Sequence, residues 1–75
     1  MNTEKLLRIV ALELSTDLTR LELELEITIN SDTLDVNTKT SMIKTLIRKV
    51  VETEASIMKF NQMTAQPENN ENNNN

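Results

Sequence analysis

The sequence predicts an all-α protein, an antiparallel two-helix hairpin with a coiled-coil-like seam, completed by association with further helices. Three observations predict it. The 75-residue chain has no glycine and a single proline, Pro67, whereas the tight turns of a small sheet domain draw on both residues. Apolar residues recur at three-, four- and seven-residue spacings along two stretches, which is the helical template. A short polar run at residues 30–35, "NSDTLD", separates those stretches.

The first stretch predicts a helix over residues 3–29. Turning about 100° per residue gathers Leu7, Val10, Ala11, Leu14, Leu18, Leu21, Leu25 and Ile29 on one stripe. Within it lies "LELELEITIN", residues 21–30, which alternates apolar and polar side chains as a half-buried strand does. The helical reading is preferred because Leu and Glu are strong helix formers and Glu is depleted in strands. The competing arrangement is an α+β fold with a β-hairpin made by residues 20–29 and 33–37. In the helical reading the alternation has a consequence. Leu23 and Ile27 leave the stripe and join Ile9 and Leu12 on roughly the opposite side, which one partner helix cannot cover.

The break at residues 30–35 carries turn and cap chemistry. Asn30, Ser31 and Asp32 suit a helix C-terminus, and Asp35 is a good N-cap with Leu34 placed as a hydrophobic staple. The second helix is predicted over residues 36–63. Val36, Ile43, Leu46, Ile47, Val50, Ile57 and Phe60 follow a heptad-like pattern, with Ile43, Val50 and Ile57 at one core position and Leu46, Thr53 and Phe60 at the next. β-branched residues at the first and Leu at the second suit a coiled-coil seam. Thr53, Glu54 and Asn61 intrude on or beside it, as a solvated margin, a register-setting polar layer or a partner contact. Residues 64–75, "TAQPENNENNNN", offer almost no apolar surface and are expected to form a disordered Asn-rich tail.

A short connection makes the helices antiparallel. Six acids against three bases in residues 4–30, and five bases against four acids in residues 32–63, then set Glu22–Glu26 beside Lys39–Arg48. This pairing is expected to select alignment more than to supply stability, since exposed ion pairs contribute only about 0–1 kcal/mol. A lone hairpin of this size is thin, with about 3–5 kcal/mol available from its core. The sequence therefore implies a homo-oligomer, with a dimeric four-helix bundle the simplest closed form, or a hairpin completed by another protein. The side chains expected to make that contact are Ile9, Leu12, Leu23, Ile27, Met42, Met58, Phe60 and Met63.

Composition narrows the function classes. Without His or Cys the usual general base, thiol nucleophile and zinc ligands are missing. Without Gly there is no loop to cradle phosphate, and Phe60 is the sole aromatic platform. No catalytic residue, cofactor, metal site or small-molecule substrate is expected. Nucleic-acid binding would fall to Lys39, Lys44, Arg48 and Lys49, whose angular spread forms no single cationic face. Peripheral membrane binding would want a basic face, and the first helix has an acidic surplus. The absence of disulfides, of a long apolar span and of a signal-peptide pattern is consistent with a cytoplasmic protein of a cell or an infected host. The expected function is a non-enzymatic protein–protein interaction module, a small assembly, scaffolding or regulatory subunit working through helix–helix contacts. Its short Asn-, Thr-, Lys- and Ile-rich composition also suits an accessory regulator of a phage, acting on host, lysis or nucleic-acid processes.

Overall fold

A computed structural model describes residues 2–65. Among these residues the chain is all-helical, with two helices, α1 (Thr3–Ile29) and α2 (Val36–Thr64), packed along each other as an antiparallel hairpin. No strand occurs among the described residues, so "LELELEITIN" is the last third of α1 and its C-cap. The tail expected at residues 64–75 lies outside the described residues except at its start. There Thr64 still belongs to α2, its hydroxyl donating to the Phe60 carbonyl at 2.8 Å.

Each helix end has a local chemical cause. Asn2 caps α1: its Oδ1 accepts from the backbone N–H of Glu4 at 2.8 Å and of Lys5 at 3.2 Å. These are two of the donors that a helix start leaves without intrahelical partners. At the other end the Asn30 N–H donates to the Glu26 carbonyl at 3.1 Å and its side-chain Nδ2 to the same oxygen at 2.9 Å. Asn30 sits at φ −91° and ψ 3°, and no described residue has a positive φ. The chain therefore reverses without a left-handed residue, and the lack of glycine costs the turn nothing.

The loop is held by short polar contacts. The Ser31 and Thr33 hydroxyls share a hydrogen bond of 3.2 Å, and Lys39 Nζ reaches back from α2 to donate to the Ser31 carbonyl at 2.9 Å. Asp35 then starts α2. Its Oδ1 accepts from the Thr38 N–H at 2.8 Å and its Oδ2 from the Thr38 hydroxyl at 3.0 Å. These bonds, the backbone one first, hold the Asp35 carboxyl below its ordinary 3.8.

Burial follows a repeat of three and four. On α1 the half-buried or buried positions from residue 11 on are Ala11, Leu14, Leu18, Leu21, Leu25 and Thr28; on α2 they are Lys39, Ile43, Leu46, Val50, Thr53, Ile57, Phe60 and Thr64. This is a 3.5-residue period, the signature of a coiled-coil seam. The seam is shallow. Leu46 (8% exposed) and Thr28 (6%) are the most enclosed side chains, and none is fully buried among the described residues.

Several expectations need correction. Ile29, placed on the seam by the 100° wheel, is 49% exposed, and Thr28 takes the place instead. On a 3.6-residue helix Ile29 lies somewhat nearer the midline of the Ala11–Leu25 stripe, about 40° away against about 60° for Thr28. On a 3.5 period Thr28, seven residues beyond Leu21, moves in and Ile29 moves out. Ile47 is exposed because it stands at the margin of the α2 seam, one residue past Leu46. Val36 is 78% exposed because it opens α2 at the loop end, where α1 has already stopped, and Leu7 is partly exposed near the open end. The expected pairing of Glu22–Glu26 with Lys39–Arg48 forms no ion pair among the described residues. The pairs that form, Arg8–Glu4 at 3.9 Å and Arg20–Asp17 at 3.5 Å, are exposed and lie within α1. Lys39 instead turns to the loop carbonyl of Ser31, which removes one of the expected cations from that pairing.

Candidate interaction faces

With the seam spent on hairpin packing, what remains for function is the outer surface. Among the described residues thirteen large apolar side chains are exposed on it, too many to dismiss as scattered singles. They do not form one patch. The most regular row is on α1: Ile9 (41% exposed), Leu12 (67%), Leu23 (55%) and Ile27 (61%). Their helical angles place all four on the side of α1 turned away from α2. The middle of this face is a shallow depression lined by Ser15, Thr16, Thr19, Arg20 and Leu23. Small β-hydroxy residues there keep the surface low between the two apolar ends.

On α2 the exposed apolar residues are divided. Ile47, Val51 and Met58 flank the seam on one side, and Met42 lies on the other. Met63 is exposed near the end of α2. Of the expected contact residues, Ile9, Leu12, Leu23 and Ile27 share one face; Met42, Met58 and Met63 are exposed but apart. Phe60 is half-buried in the seam and belongs to hairpin packing.

The four basic candidates are also split. Lys44 and Arg48, one turn apart, line a shallow polar groove with Asn37, Thr40, Ser41 and Thr45 on the outer side of α2. Lys39 is half-buried and bonded to Ser31. Lys49 lines a different depression, with Glu52 and Thr53 of α2 and Asp17, Arg20 and Leu21 of α1. That depression brings charged residues of both helices to one stretch of their boundary, and the ion pair formed there, Arg20–Asp17, lies within α1. The acidic run nearer the loop faces solvent. Two grouped cations would release only about two counterions from a phosphate backbone, a weak basis for nucleic-acid affinity.

Sequence reasoning found the α1 row because Leu23 and Ile27 fall outside the main stripe. It missed Thr28 and Lys39 as seam positions. Extending the heptad seven residues on from Leu21 and back from Leu46 would have reached both. No helix among the described residues is long and apolar enough to cross a membrane, and no group of three or more Asp or Glu comes together there as a metal cage. No family model, curated protein or solved structure matches this chain.

Proposed function

We propose that the chain is a non-enzymatic protein–protein interaction module, a small assembly or regulatory subunit that docks through the outer face of α1. The observation that carries this reading is the row Ile9, Leu12, Leu23 and Ile27, exposed together on the side of α1 that α2 does not cover. A helix apolar on two opposite sides has a second surface whose removal from water contributes about 25 cal/mol per Å². The mechanism is helix-on-helix docking, with anchors at the spacings of an amphipathic face.

The test compares the wild-type chain with Leu23→Lys/Ile27→Lys, which leaves the seam untouched. Immobilised wild-type protein should retain a binding species, another protein or a second copy of itself, that the variant loses. Equal retention of every species by both, with no self-association of either, overturns the reading.

A further inference from the structure

We infer that the occupant of the outer α1 face is a second copy of this chain, packed antiparallel against it about a twofold axis near the middle of α1. This rests on the reading of that face as an interaction surface and names what covers it.

The first argument is the order of residues along the face. Read from either end it runs apolar, apolar, small polar centre, apolar, apolar: Ile9, Leu12, then Thr16 and Thr19, then Leu23 and Ile27. Antiparallel pairing about a midpoint near residue 17 or 18 sets Ile9 against Ile27 of the other copy and Leu12 against Leu23. Thr16 then meets Thr19. Such a surface is self-complementary, which an isologous twofold interface requires. The depression lined by Ser15, Thr16, Thr19, Arg20 and Leu23 falls at the axis, where the small hydroxyl side chains keep the surface low and Arg20 stands at its margin.

The second argument is the charge along the edges. Arg8 and Glu26 lie on one edge of the row, and Glu13 and Arg20 on the other. Antiparallel packing brings like edges together, so Arg8 faces Glu26 of the second copy, and Glu13 faces its Arg20, which in the single hairpin pairs with Asp17 of its own helix at 3.5 Å. Each pair occurs twice by symmetry. In the single hairpin Arg8 is held only by an exposed 3.9 Å contact to Glu4, which leaves it available. Opposed helix dipoles favour the same orientation.

The third argument is size. From Ile9 to Ile27 the face runs about 27 Å at 1.5 Å per residue. One helix face of that length offers a few hundred Å² per copy, below the ~800 Å² per partner of a standard interface. Self-association through this face alone is therefore weak, and the dimer is populated as protein concentration is raised.

The chain has no cysteine, so cross-linking gives a clean test on the full-length protein. In Leu12→Cys/Leu23→Cys the two positions of one copy are about 16 Å apart along α1, beyond disulfide reach. Antiparallel pairing predicts a covalent dimer on oxidation of this double variant, and none from either single variant. A monomer, or single variants that cross-link themselves as a parallel pair would, overturns the inference.

Sedimentation equilibrium on variants that leave the seam and both leucines intact guards against a misfolded cysteine variant. Arg8→Glu should weaken self-association about tenfold, and Arg8→Glu/Glu26→Arg should restore it to within about threefold of wild type. Weakening without restoration overturns the pairing. A monomeric wild type whose face still retains another protein, in a way Leu23→Lys/Ile27→Lys abolishes, refutes the second copy while sparing the interaction reading. Loss of both removes the two together.

Discussion

Leu46→Ala is the substitution on which the account of the hairpin depends most directly. Leu46 is the most enclosed apolar side chain among the described residues, at 8% exposure, and lies in the α2 seam between the half-buried Ile43 and Val50. The change removes three carbons, each contributing about 0.8 kcal/mol when buried, so the transfer loss alone is about 2 kcal/mol. Fully enclosed leucines lose about 2–5 kcal/mol because a cavity remains. Here the neighbouring seam residues Ile43 and Val50 are only half-buried, so the helices can close on the gap and the cavity contribution is small. The expected loss is about 2–3 kcal/mol, most of the ~3–5 kcal/mol that a core of this size supplies. Urea unfolding followed by far-ultraviolet circular dichroism measures it. With a slope near 1 kcal/mol per molar for so small a protein, the midpoint should fall by about 2 M or more. Met63→Ala, at 73% exposure on the same helix, is the control and should stay within about 0.5 kcal/mol. A Leu46→Ala midpoint no lower than that of Met63→Ala would refute the seam as the source of stability.

Three further outcomes follow from the polar positions. Thr28→Val replaces a hydroxyl that only back-bonds the Glu24 carbonyl of its own helix at 2.8 Å, at a 6% exposed seam site. It should raise the urea midpoint by an amount equivalent to about 0.5–1 kcal/mol, and a fall would show that this bond secures the end of α1. Thr53→Leu puts the heptad's preferred residue into a half-buried seam position and should raise the thermal midpoint, unless the threonine layer fixes the register. Asp35 gives the pH dependence. Its folded pKa lies below 3.8, so its contribution is fully present above about 3.8 and is lost as pH falls through the lower folded value. Asp35→Asn, an equally good cap, should match wild type at neutral pH and lack that acid loss. Identical acid profiles for the two would refute the cap's ionic character.

The polar positions also show where sequence reasoning stopped. Both helices, the loop between them and the Asp35 cap were legible because each rests on local chemistry: helix propensity, a sustained apolar period, and a carboxylate three residues before the N–H it caps. The α1 face was legible for a related reason. Leu23 and Ile27 alternate with glutamates, and on a helix that alternation sends them opposite Leu21 and Leu25.

Several features depended on the partner helix. Whether Thr28 or Ile29 enters the seam turns on a period of 3.5 rather than 3.6, a small difference that accumulates only when two helices run against each other. Ile47 and Val36 lie outside the seam because of where α1 runs and ends, not because of their own hydropathy. Lys39 lies at a heptad position, but only the folded loop supplies the Ser31 carbonyl that its ammonium bonds. The ion pairs expected between Glu22–Glu26 and Lys39–Arg48 do not form among the described residues, because the register between helices decides which side chains face each other. The sequence by itself determined the elements and their apolar faces, which local interactions set. The tertiary structure alone decided which members of each face are covered, since burial belongs to a pair of helices and not to either one.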